Sequence, residues 1–248
     1  MSERGAGNTQ RTKAQWFTTT HWSIVLMAKN GALPEATNAL EKLCSIYWPS
    51  VYAYIRRDGY PPPEAQDLTQ EFFARLLSND YLHHLQDRRG KFRSFLLTFV
   101  KHFLNDERKK EGALKRGGGQ VVVSLDAMDS EERYLTEPAD KLDPYQAFER
   151  RWAQTLLHNT VDRLKNEYIA TGKKALFEAL KDLEIHERGE QTYAEVGTQL
   201  GLTVSAVKAA SFRLRRRHRE LLREEIAQTV GSSEEIEDEI KHLLSALS

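Results

Sequence analysis

Six apolar residues limit what this chain can become. Phe92, Phe95, Leu96, Phe99, Val100 and Phe103 recur at i, i+3, i+4, i+7, i+8 and i+11. That spacing lays them along one side of an α-helix, so a helix is expected from Phe92 to about Lys110, with its stripe buried. Helical patterning recurs in the apolar segments outside Glu111–Pro144, and strict alternation appears nowhere. The fold class read from this is all-α.

Punctuation divides the helices into two groups. Thr18, Thr19 and Thr20 offer caps for a short helix from Phe17 to Lys29. Ala36 to Arg57 is helical in pattern but carries Pro49, which predicts two helices or a kink. Pro61, Pro62 and Pro63 stop the chain and launch a helix from Glu64 to about Ser78. With the Phe92 helix these form one small domain, 16–111, behind a polar, disordered start at 1–15. Residues 112–144 read as a flexible acidic linker, too long for a loop inside one compact domain. Its glycines at 117–119 lack the Lys-Ser/Thr and strand–helix setting of a phosphate loop. Helical pattern then returns over Tyr145–Ile169, Lys174–Ile185, Thr192–Leu200 and Val204–Arg223, a second small domain at 145–225. Residues 226–248 form an amphipathic extension. Its helix, Ser233–Leu247, has a Ser232/Glu235 capping box and a stripe of Ile236, Ile240, Leu243, Leu244 and Leu247. That stripe is expected to pack on the second domain.

Charge is even in sum and uneven in place. The 248 residues hold 36 basic and 36 acidic side chains. Arg88–Arg116 carries ten basic against three acidic, and Ser205–Arg219 six basic and none acidic. Ser124–Glu149 reverses this with eight acidic and two basic, and Ile226–Ser248 has five acidic and one basic. A surface needing only solubility would mix its signs, so the two basic blocks point to two contacts with a polyanion. The single cysteine, Cys44, excludes an internal disulfide framework and a thiolate zinc site. No apolar run approaches a membrane span, and the polar start does not read as a secretory signal. A cytoplasmic chain with no metal, no cofactor, no membrane contact and no small-molecule substrate is expected.

The second basic block lies in a helix-turn-helix pattern, Tyr193 to Leu221. Gly197 falls where the two helices must approach closely, and Gly201 where the turn needs positive φ. Val196, Leu200, Leu202, Val207 and Leu214 are the expected small core. Ser205, Lys208, Ala209, Phe212 and Arg213 then face outward, suited to phosphates, guanine edges and thymine methyls. Arg215, Arg216 and Arg217 follow as clamps on the DNA backbone.

In order along the chain, AQDLTQEFF at Ala65–Phe73, GKFRSFLLTFVKHFLNDERKK at Gly90–Lys110 and TYAEVGTQLGLTVSAVK at Thr192–Lys208 resemble the motifs of a bacterial RNA polymerase sigma factor of the extracytoplasmic-function (ECF) class. FTTTHWSIVL at Phe17 and the segment after Glu225 are similar to a subgroup with longer ends. The resemblance implies region two and region four joined by a linker, bacterial core RNA polymerase and promoter DNA as partners, and no enzymatic activity. Asp67, Gln70 and Glu71 would face the polymerase clamp helices; Gln66 stands where the family commonly has glutamate. Arg88, Arg89, Lys91, Arg93, Lys101, His102 and Asn105 would contact the minus-ten element, with Arg93, Lys101 and Asn105 on the solvent side. His102 and Phe95 stand where asparagine and tryptophan are frequent. The outward residues of the helix-turn-helix would read the minus-thirty-five element. An anti-sigma protein, a kinase acting on Thr69, or a regulatory latch by the C-terminal extension would fit as controls. The competing reading is a stand-alone helix-turn-helix regulator with a ligand-sensing or dimerising N-terminal bundle. Paired carboxylates at 67 and 71 lack a histidine or a second carboxylate helix to make a catalytic or metal site.

Overall fold

In the computed structural model, residues 21, 34–77, 91–114, 142–184 and 192–248 are described. Among them are eight α-helices and no strand: α1 Pro34–Arg57, α2 Pro62–Leu77, α3 Phe92–Leu114, α4 Pro144–Ala170, α5 Lys174–Glu184, α6 Tyr193–Leu200, α7 Val204–Ala227 and α8 Glu235–Leu247. Apart from His21, the expected helix at 17–29 lies outside the described residues, as do Arg88, Arg89 and residues 115–141 of the expected linker at 112–144.

The described residues fall into two compact units. One takes the chain up to Thr155 together with Ile226–Ser248, and the other is Leu156–Glu225. The division therefore falls inside α4 rather than ahead of it. α8, read from the sequence as a separate extension whose stripe would pack on the second domain, belongs to the first unit.

The first unit is built on aromatic residues. α2 turns Leu68, Phe72 and Leu76 inward as its spacing demands, joined by Ala65, Thr69 and Phe73. α3 buries Phe92, Leu96, Phe99, Val100 and Phe103, while Phe95 is half-buried. Phe72 meets Phe99 at a centroid distance of 4.9 Å and Phe103 edge-on at 5.7 Å. Such ring pairs add to simple burial and fix how two helices sit together. Tyr47 of α1, fully buried, packs edge-on against Phe92 at 5.2 Å. α1 runs through Pro49 as one helix, so of the two helices or kink expected there the division into two does not occur. The proline removes one backbone bond, but the buried Tyr47, Ser50, Val51 and Tyr52 around it supply the packing that keeps the helix whole.

The second unit has the apolar core of a small helical module: Leu164, Phe177, Leu180, Val196, Val207, Ala210, Leu214 and Leu221. Its α6–α7 turn is fixed by local chemistry. The Thr192 hydroxyl accepts from the Glu195 amide and the Glu195 carboxylate from the Thr192 amide, a complete capping box. Gly201 ends α6 at φ 67°, the left-handed conformation glycine takes at little cost. By contrast the expected Ser232/Glu235 box on α8 is half made. The Glu235 carboxylate accepts from the Gly231 and Ser232 amides at 3.0 and 3.1 Å, while Glu234 stands at the cap with no side-chain bond.

Candidate polymerase and nucleic-acid interfaces

The helix-turn-helix carries the clearest surface. A Cβ at Gly197 would lie 2.7 Å from the Leu202 carbonyl oxygen, so the turn packs against α6 where only glycine fits. Val196, Val207 and Leu214 are buried as expected and Leu200 is partly so, but Leu202 is exposed. Its carbonyl, rather than its side chain, takes the tight position. With Val207, Ala210 and Leu214 inward, Ser205, Lys208, Ala209, Phe212, Arg213, Arg215 and Arg216 are all exposed. Phe212 stands 63% exposed, and no apolar neighbour in the core explains it. Lys208 lies over the Tyr193 ring at 5.9 Å, which steers its ammonium.

On α2, Glu71 is exposed and Asp67 and Gln70 are half-buried, together with exposed Glu64. Glu71 is also paired with Arg75, which reaches Glu107 of α3 at 2.6 Å. The carboxylate face is therefore presented, with Glu71 steadied by a cation beside it. On α3, Lys101, His102 and Asn105 are exposed on one side, and Asn105 accepts a weak bond from Arg108 at 3.4 Å.

The family model of the ECF sigma factors matches residues 62–228, two thirds of the chain. No curated protein and no solved structure matches significantly. The chain belongs to the ECF sigma factor family. It is an RNA polymerase sigma factor that promotes transcription initiation, and not an enzyme by itself. Core RNA polymerase and promoter DNA are the partners its family implies. No helix among the described residues is long and apolar enough to cross a membrane.

Three residues of this sigma factor that the sequence aimed at DNA are engaged by carboxylates, and one of them, Arg93, is corrected from solvent to the interior. Arg93, expected toward solvent, is 5% exposed. It lies 300° around the helix from Leu96, hence within 60° of the apolar stripe. Its Nε and Nη2 donate to the two oxygens of Glu239 at 2.7 and 3.3 Å, and its Nη1 donates to Glu149. Lys91, half-buried, gives its ammonium to Glu239 at 2.7 Å. Arg217, expected as a backbone clamp, forks onto Glu167 at 2.8 and 2.9 Å and reaches Glu224 and Glu220 at 3.1 and 3.3 Å. Its guanidinium is held well above the ordinary arginine range, first by the Glu167 bonds.

Thr69 is no exposed switch either. It is fully buried and donates its hydroxyl to the Ala65 carbonyl at 2.6 Å, so a kinase would have to unfold α2 to reach it.

Sequence reasoning missed Glu149, Glu239 and His242. The signal was present for Glu239, which falls at i+3 from Ile236 and i−4 from Leu243, a carboxylate on the buried side of an amphipathic helix. A buried charge in that position demands a partner. The sequence alone does not say which.

Proposed function

We propose that three faces divide the work of this sigma factor. Asp67, Gln70 and Glu71 of α2 dock on a basic surface of core RNA polymerase. Lys101, His102 and Asn105 of α3, with Arg88 and Arg89 ahead of it, follow the minus-ten strand. Ser205, Lys208, Ala209, Phe212, Arg213, Arg215 and Arg216 of α7 read and clamp the minus-thirty-five element. The protein works in the cytoplasm, where polymerase and promoter are.

One observation carries this reading: Phe212 stands open to water between Lys208 and Arg213 on a helix-turn-helix. An exposed ring flanked by two cations has no use in packing, while a major groove offers thymine methyls, acceptor edges and phosphates together. The α2 face is supported by its acidic side chains: Glu64 and Glu71 are exposed and Asp67 half-buried, with Arg75 paired to Glu71. A basic partner would relieve their repulsion.

The test is co-purification with bacterial core RNA polymerase. Wild type should bind stoichiometrically, and a folded Asp67→Lys, Glu71→Lys double variant should be lost from the complex. Equal retention of both would place the polymerase contact elsewhere. Tight binding of promoter-sized DNA by the free chain, with no polymerase bound, would favour a stand-alone regulator.

A further inference from the structure

Residues 229–248 lie beyond the family match, yet they end up inside the unit that holds α2 and α3. Their anchoring is a chain of alternating charges. Lys91 bonds Glu239, Glu239 bonds Arg93, Arg93 bonds Glu149, and Glu149 meets His242 Nε2 at 2.6 Å. Glu239 and His242 come from α8, Glu149 from α4, Arg93 from the first turn of α3, and Lys91 from just before it. Trp152 closes one side, 5.1 Å from the Arg93 guanidinium and 6.1 Å from the His242 ring. Just upstream of α8, the Thr229 carbonyl accepts from the Phe92 amide, the first N–H of α3, at 3.0 Å. The C-terminal segment thus supplies both a backbone acceptor and a buried carboxylate to the start of α3.

We infer that the C-terminal segment is a fixed part of the promoter-opening unit, and that Glu239 is a positioning residue that sets the start of α3. A latch would need to let go. Here release would take Glu239 from Arg93 and His242 from Glu149, leaving that buried pair with only each other, and would expose Val230, Ile236 and Leu243, all buried. Bidentate bonding to a guanidinium fixes direction as well as distance. Because Glu239 holds both Lys91 and Arg93, it fixes the path by which the chain enters α3. Lys101, His102 and Asn105, two to four turns along, then stand in a set relation to the rest of the unit. The extension does its work by placement, without touching DNA.

This inference rests on the reading of α3 as the minus-ten helix, and the experiment separates the two. Holoenzymes are assembled from core polymerase and either wild type, Glu239→Gln, Glu239→Asp, or a Lys101→Ala, Asn105→Ala double variant. Each is assayed on a duplex promoter and on the same promoter with its minus-ten region already unpaired by mismatches. Glu239→Gln should open the duplex about ten-fold more slowly, as for loss of one charge-assisted bond, and should act normally on the unpaired template. If Glu239→Gln does not fold, Glu239→Asp keeps the charge but shortens the reach, and the same template-dependent loss is expected. Equal loss on both templates would reduce Glu239 to a support of the fold. Faster duplex opening would make the segment a latch, and an unchanged rate would deny it any part in opening. Each of these overturns the inference. A duplex-specific loss in the Lys101→Ala, Asn105→Ala variant leaves the α3 reading standing whatever Glu239 does. Normal opening by that variant overturns both.

Discussion

Two arginines, Arg93 and Arg217, were expected to face DNA, and both are held by carboxylates. The settings differ. Arg93 sits in the first unit with its side chain 6% exposed, between Glu239 at 0% and Glu149 at 4%. Arg217 sits in the second with its side chain 33% exposed, among an exposed Glu220 and half-buried Glu167 and Glu224 that water still reaches. Burying the first network costs desolvation of every charge in it, so its members are bound to one another permanently. The second costs little to form and little to open. The same chemistry gives a fixed joint in one place and an exchangeable surface in the other. A phosphate can compete for Arg217, but it cannot reach Arg93.

The largest effect should come from cutting each network at its carboxylate. Glu239→Ala leaves Arg93 buried with one partner fewer and is expected to destabilise the first unit by about 3–5 kcal/mol. Glu167→Ala should cost the second unit no more than about 1 kcal/mol. Urea unfolding followed by the tryptophan signal of the first unit and by helix content checks the pair. Similar losses would erase the distinction between joint and surface.

A smaller effect separates arginines that read from those that are held. Lys208→Ala and Arg213→Ala should each weaken holoenzyme binding to the minus-thirty-five element by about 1–3 kcal/mol if they contact base edges. Arg217→Ala should cost less, and equally on any sequence, because its guanidinium is shared with Glu167. Competition binding with altered minus-thirty-five sequences measures both. Selective loss in Arg217→Ala would mean that its ion pairs break on DNA.

The smallest effects are those of acid and salt. Burial alone would raise the Glu239 carboxyl, but the bonds and charge of Arg93 and Lys91 outweigh it and hold the group below the usual carboxylate range. Glu167 is lowered chiefly by its bonds from Arg217. In both cases the folded value lies below the unfolded one. The stabilisation is therefore complete above the ordinary carboxylate pKa of about 4.3 and is lost as pH falls through the lowered value. Acid should weaken both networks. Salt should divide them: between about 0.1 M and 1 M the screening length shrinks from about 10 Å to about 3 Å, weakening Arg217 with Glu167 and leaving Arg93 with Glu239 nearly untouched. Thermal unfolding at neutral pH across that range should show the second unit alone responding. A matching response in the first would mean that water reaches its cluster.

The sequence by itself determined what depends on neighbours along the chain. The period of Phe92 to Phe103 set a helix and its buried side, and Leu68, Phe72 and Leu76 did the same for α2. Thr192, Glu195, Gly197 and Gly201 set the helix-turn-helix through capping and close approach, contacts made within about ten residues. The outward residues from Ser205 to Arg216 followed from that geometry. Tertiary structure alone decided what depends on distant partners. Pro49 was carried through a helix by the packing around it. Arg93 met Glu239, 146 positions away, and so left the DNA-facing set for the interior. The apolar stripe of α8 was legible, but its choice of the first unit was not. Hydrophobic burial is non-directional, whereas the buried carboxylate at 239 needed cations that only the fold could bring to it, Arg93 and Lys91.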